Sequence, residues 1–195
     1  DRYRLSGAER NILYRGVVSR NLADRRRRRL LSLPEGVRSG ATLVVDGHNV
    51  LFTVVNYLQG RSTFIAVDGY LRDAGNPARR IRAGEEFERA VQELGSRLRI
   101  LDPARAAVYF DEPVTYSKDH IGLARRAWRD LGERIELYLV SSADQEVKST
   151  RADVLVTSDS TLIDATTAPV ADVARWIIGE GFGANLPCLS DFLQE

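Results

Sequence analysis

Two rhythms of apolar and polar positions run along this chain. At three places a short β-favouring run ends abruptly in polar residues. Leu43-Val44-Val45 meets Asp46-Gly47-His48-Asn49, Val108-Tyr109-Phe110 meets Asp111, and Val154-Leu155-Val156 meets Thr157-Ser158-Asp159. Each reads as a buried strand whose C-terminal end delivers an acid into a turn. The first covers about residues 41–46 and the second about 106–111. Another strand over Ile135–Val140 leads into Ser141-Ser142-Ala143-Asp144. Between them the period lengthens. Phe87, Ala90, Val91, Leu94 and Leu98 form one helical stripe after Gly84, and Ile121, Leu123, Ala124, Ala127, Trp128 and Leu131 form a second, closed by Gly132. Ser160 is placed to cap a short helix through Leu162 and Ile163, and Val170 to Ile178 reads as a last amphipathic helix.

Two regions depart from this alternation. From Leu51 to Leu71 the pattern is β-like, with Thr53-Val54-Val55-Asn56-Tyr57 and Thr63-Phe64-Ile65-Ala66-Val67 around Gln59-Gly60. That predicts an inserted hairpin or meander closed by Asp68-Gly69, with a loop at Asn76-Pro77. Residues 1–38 predict a helical arm, expected to be the end of a longer region. Its signals are a capping box at Ser6-Gly7-Ala8-Glu9, helical spacing of Ile12, Leu13 and Val17, and a stop at Pro34 and Gly36. Residues 39–195 form the main domain. Strands alternating with helices predict an α/β fold with three layers, α/β/α, around a central and mostly parallel sheet.

Composition narrows the class without naming a chemistry. Hydrophobic content of 44% and charged content of 28% suit an ordinary globular protein. No apolar run suggests a membrane span, and the single Cys188 excludes an intrachain disulfide or a cysteine-built zinc site. The cytoplasm is the expected compartment. Net charge is +1, yet Lys118 and Lys148 are the only lysines, so the basic side is almost all arginine. Arg25 to Arg29 cover every face of a helix, read either as a solvated stretch or as a phosphate-contacting patch.

The chemistry lies in the acids. Adjacent strands lie about 4.8 Å apart, so Asp46, Asp111 and Asp159 at three strand ends can share one site, with Asp144 joining from the turn after its strand. Oxygen ligands of this kind suit a hard divalent cation, Mg²⁺ or Mn²⁺. Asn49 adds a second polar group to the first junction. Thr157 and Ser158 are candidates to orient bound water or substrate, and Lys118 to meet a phosphate. His48 and His120 are read as structural rather than as ligands. Rival motifs are missing. The haloacid-dehalogenase-like nucleophile motif needs an acid where His48 stands, an integrin-type metal site needs Asp-x-Ser-x-Ser, and neither a P-loop nor Gly-x-Gly-x-x-Gly occurs.

Val45-Asp46-Gly47-His48-Asn49-Val50, Phe110-Asp111, Ala143-Asp144-Gln145-Glu146 and Val156-Thr157-Ser158-Asp159 together resemble PIN-like nucleases of the NYN type, over roughly residues 41–165. Asp1-Arg2-Tyr3-Arg4-Leu5 and Glu9-Arg10-Asn11 resemble conserved archaeal and bacterial proteins with a domain of unknown function before such a module. The resemblance implies Mg²⁺- or Mn²⁺-dependent phosphodiester hydrolysis of RNA. Asp46, Asp111, Asp144 and Asp159 would be the catalytic metal ligands and Asn49 a site-shaping residue. Glu86 would be a candidate for the helix-borne acid of many members. RNA is the implied partner, with no membrane and with a homodimer as an allowed assembly. The alternatives are a non-catalytic RNA-binding or scaffold module on the same fold, and a phosphatase or small-nucleotide hydrolase.

Overall fold

Leu43, Val45, Val108 and Phe110 face one way from their strands, while Val44, Ala107 and Tyr109 face the other, and both sets are buried. A sheet apolar on both faces needs cover on both. The structure, a computed structural model describing residues 4–74 and 80–192, supplies it. Five parallel strands, β1 (Thr42–Asp46), β4 (Arg105–Asp111), β5 (Ile135–Val140), β6 (Val154–Val156) and β7 (Val170–Ala171), lie in the order β5-β4-β1-β6-β7. Helices α3 (Gly47–Leu58), α4 (Glu85–Leu101), α5 (Ser117–Ala127) and α8 (Val173–Trp176) pack on one face. Helices α6 (Ala143–Ser149) and α7 (Ser160–Ala165) pack on the other. This is the three-layer α/β/α sandwich. Among the described residues, no helix is long and apolar enough to cross a membrane.

Several element boundaries differ from the sequence reading. Thr53 to Tyr57, expected as a strand, belongs to α3. Valine and threonine lose only tenths of a kcal/mol in a helix relative to better formers. Here Val50, Leu51, Val54 and Val55 are each at most 1% exposed, so tertiary burial decides the outcome. The expected pairing of Thr53–Tyr57 with Thr63–Val67 around Gln59-Gly60 therefore does not form; β2 (Thr63–Ile65) pairs instead with β3 (Leu71–Asp73), across the turn at Asp68-Gly69. Val170 and Ala171, expected to open a helix, form the fifth strand. The helix after them is capped by Asp172 and passes into a π-helical turn over Ile177–Gly181. The cap of α7 is Asp159 rather than Ser160. Helix α5 stops at Ala127, and a 3₁₀ segment over Arg129–Arg134 carries Gly132 at φ +64°. The Asn76-Pro77 loop and the Asp1-Arg2-Tyr3 part of the arm motif lie outside the described residues.

The arm folds as α1 (Gly7–Gly16), with its Ser6–Glu9 capping box complete, and α2 (Arg20–Arg27). Two members of its arginine run serve the fold, while Arg25, Arg27 and Arg28 are exposed. Arg26 is buried and donates to Asp68 at 2.9 Å and to Asp164 at 2.6 Å, while Arg29 donates to the Ile163 carbonyl at 2.5 Å. Leu30 then bridges to Val170 at the edge of the sheet.

Candidate active site

From β1 the chain builds outward to β4 and β5, then returns to lay down β6 and β7 on the opposite side. The carboxyl ends of β1 and β6 therefore flank the point where the connections diverge, the usual crevice of an open α/β sheet. A cleft of about 320 Å³ lies there, and Asp46, Asp111, Asp144 and Asp159 all line it. The four acids expected to act together do share one concavity.

Asp46 ends β1 and caps α3, accepting from the Asn49 amide at 3.4 Å through Oδ1. Its Oδ2 accepts from Thr157 Oγ1 at 3.1 Å. Burial pushes its carboxyl up to about 7, and the neighbouring charges of Asp159 and Asp144 add to the rise against those two hydrogen bonds. Asp144 lies exposed in the first turn of α6. Partial desolvation, then Asp159 and Asp111, hold its carboxyl above the ordinary range against the pull of Lys148. Asp159 spends Oδ1 on the Thr161 and Leu162 amides, at 2.7 and 3.1 Å.

Gly47 follows Asp46 for a reason other than turn geometry. A Cβ there would sit 2.8 Å from the Tyr109 carbonyl and 3.1 Å from Val108 Cγ1, so glycine lets α3 start flush against β4. Asn49 is the clasp between β1 and β6. Its Oδ1 accepts from the Ser158 amide at 2.9 Å and Ser158 Oγ at 3.2 Å, and lies 3.2 Å from Thr157 Oγ1, within reach of the same hydroxyl that serves Asp46. Thr157 and Ser158, expected to face substrate, are buried and hold the acids in place. Lys118 is exposed on α5 in a separate cleft with Arg82, Glu88 and Tyr116. Glu86 is exposed on the first turn of α4 and does not line the acidic cleft.

Asp111 ends β4 and is held below the ordinary carboxylate range; its Oδ1 accepts from the Ala143 amide at 2.7 Å, and His48 Nδ1 stands 3.7 Å from its Oδ2. The Asp111 amide donates to His48 Nδ1 at 3.1 Å. That nitrogen then carries no proton, which leaves the Ala143 amide as the donor in direct contact with the carboxylate. The line continues from His48 Nε2 to His120 Nδ1 at 3.2 Å, and from His120 Nε2 to the Ile81 carbonyl at 3.1 Å. An amide donor at one end and a carbonyl acceptor at the other assign both rings as neutral, each protonated on Nε2. Burial pushes His120 down to about 4. Both histidines thus serve as a buried strut behind Asp111.

The cleft has members that the sequence reading missed: Arg15 from α1, Thr53 and Asn56 from α3, Arg61, and Asp73 at the end of β3. Thr53 and Asn56 follow Asn49 by four and seven residues, a helical spacing hidden once the segment is read as a strand. Arg15 and Asp73 leave no local signal. Asp172 is the opposite lesson. It too follows a strand directly, yet it is buried and spent on the Leu71 and Arg175 amides.

The donor set fits a hard cation in kind, since carboxylates that raise one another's protonation are relieved by a positive charge. The coordination is not preformed. Among the described residues, no three His, Cys, Asp or Glu side chains stand close enough together to hold a metal ion.

A family model described as Domain of unknown function (DUF5616) matches residues 37–176, which is the sandwich without the arm. The Uncharacterized protein MJ0935 of Methanocaldococcus jannaschii is 26% identical over 161 residues, covering 83% of this chain and 75% of that one. No solved structure matches the chain significantly.

Proposed function

The chain belongs to the Domain of unknown function (DUF5616) family, and from its site we propose a metal-dependent phosphodiesterase acting on RNA, of the PIN-like kind. The observation that carries this is the convergence of Asp46, Asp111, Asp144 and Asp159 on one cleft at the diverging edge of the sheet. Asp46, Asp144 and Asp159, with Asp111, would hold Mg²⁺ or Mn²⁺. Such a cation supplies activation of water and charge neutralisation at the scissile phosphate. The chain's own residues do the rest. Thr157 and Asn49 fix the Asp46 carboxylate, and the Ala143 amide keeps Asp111 ionised. Asp46, with its carboxyl near 7, gives up its proton when a cation takes its place, so metal affinity rises with pH through neutrality. A cytoplasmic setting is part of the proposal, since the lone Cys188 has no partner within the chain for a disulfide.

The test is incubation of the purified protein with single-stranded and structured RNA in Mn²⁺ or in EDTA. Cleavage in Mn²⁺ alone is expected, with loss in Asp46→Asn and Asp159→Asn. Activity that persists in both variants refutes the mechanism. RNA bound but uncut would favour a binding module, and turnover confined to phosphomonoesters or nucleotides would favour a phosphatase.

A further inference from the structure

The acids occupy only part of the cleft. Helix α3 is mostly apolar apart from a stripe in which Asn49, Thr53 and Asn56 follow Asp46 at intervals of three, four and three residues, and all four line the cleft. At 1.5 Å per residue, Asp46 and Asn56 are roughly 15 Å apart along the helix. Beyond Asn56 stands Arg61, which donates to Asn56 Oδ1 at 2.5 Å and to Gln59 Oε1 at 2.9 Å. Arg15 also lines the cleft, donating to the Asp73 carbonyl at 2.8 Å and its carboxylate at 3.2 Å.

Arg15 belongs to the arm, outside the span that the family model matches. Its position is nevertheless set by the way the arm docks. Gly16 is buried so closely that a Cβ would lie 2.3 Å from Leu189 Cδ1 and 2.7 Å from Phe64 Cε2, and its carbonyl accepts from the Val67 amide at 3.0 Å. The adjoining side chain is thereby brought to the cleft.

We propose that Arg15 and Arg61 form a phosphate subsite for the nucleic-acid strand adjoining the scissile phosphodiester, which makes the arm part of the substrate site. The inference rests on the phosphodiesterase reading of the acids. A bare acidic cleft repels a polyanion. Guanidinium groups away from the acids give a neighbouring phosphate a forked, charge-assisted partner. Arg15 exchanges Asp73 for that phosphate when the strand enters.

The experiment uses the full chain and a fluorescein-labelled single-stranded RNA, with the same sequence in DNA as a second arm. Anisotropy is read over a series of salt concentrations in Mn²⁺, with each sample run on a gel so that cleaved fractions are discounted. Arg15→Gln and Arg61→Gln are each expected to weaken RNA binding about tenfold and to flatten the salt slope by about 0.7. Asp73→Asn, which removes the competing carboxylate charge and leaves the carbonyl contact in place, is expected to tighten it. Arg25→Gln, an exposed arginine on α2, should change nothing, and Mn²⁺ titrated alone should bind all four variants like wild type. Arg61 lies off the arm, so its variant keeps the test valid if Arg15→Gln disturbs docking. Wild-type affinity and slope in both cleft variants, an equal loss in Arg25→Gln, or no RNA binding by the wild type overturns the subsite. Arginine-dependent binding without cleavage leaves the subsite standing and fells the hydrolytic reading. Cleavage with KM unchanged in both arginine variants does the reverse.

Discussion

Replacing Asp46 with asparagine should stabilise this protein, and by an amount that grows with pH. The carboxyl is 5% exposed and its burial pushes it up to about 7, against an ordinary 3.8. Between those two values the folded state binds more protons than the unfolded chain, so stability falls as pH rises through that window and levels off above it. At 1.36 kcal/mol per pH unit, ionising the buried group costs about 4 kcal/mol at pH 8, and about 3 kcal/mol of that accrues above pH 5. Asparagine has the same shape, keeps one oxygen as acceptor for the Asn49 amide and can donate its NH2 to Thr157 Oγ1, whose own proton then goes to Asn49 Oδ1. It has no charge to bury. Urea unfolding of both proteins in EDTA at pH 5, 6, 7 and 8 measures the difference directly, because other titrating groups are common to the pair. The advantage of Asp46→Asn should widen by about 3 kcal/mol from pH 5 to pH 8. Mn²⁺ should then narrow it by binding wild type preferentially. A gap that stays constant with pH, or a variant less stable than wild type at pH 8, refutes the account of Asp46 as a buried, electrostatically crowded acid.

Other expectations follow from the surrounding contacts. Gly47→Ala forces a Cβ toward the Tyr109 carbonyl and should cost about 1–3 kcal/mol in denaturant unfolding; an unchanged midpoint would show that α3 can shift freely on β4. Asn49→Leu leaves the Ser158 amide and hydroxyl without their acceptor and should cost about 1–3 kcal/mol, whereas Asn49→Asp keeps the acceptor and should lose its benefit mainly at high pH. His120 should titrate near 4 when its ring Cε1 proton is followed by NMR. Because its folded value lies below the ordinary 6.5, its contribution to stability is lost as pH falls between those values, and a midpoint above 6 would break the proposed histidine strut.

The parallel sheet was legible because buried strands announce themselves as apolar runs with polar stops. Asp46, Asp111, Asp144 and Asp159 could be found for the same reason, each sitting just past such a run. What stayed hidden is set by distant partners. Thr53-Val54-Val55 has the local character of a strand, and only the closely packed core around α3 makes it helical. Val170-Ala171 is too short to show a period of two. Thr157 and Ser158 look like substrate contacts until Asn49, more than a hundred residues earlier, claims them. The histidine line needs residues 48, 81, 111 and 120 together, and no spacing along the chain encodes it.

The junction of Leu30 with Val170 bears on what counts as the folding unit. The Leu31 amide donates to the Val170 carbonyl at 2.9 Å, and the Val170 amide donates to the Arg29 carbonyl at 2.7 Å. Those bonds occupy the outward-facing backbone groups of an edge strand, which would otherwise be an open template for another chain. A fragment trimmed to residues 37–176 would bare that edge and also strip Arg26 from the buried Asp68. It would invite self-association for reasons unrelated to its chemistry. The segment that the family model matches is thus shorter than the piece of polypeptide that covers its own sheet edge.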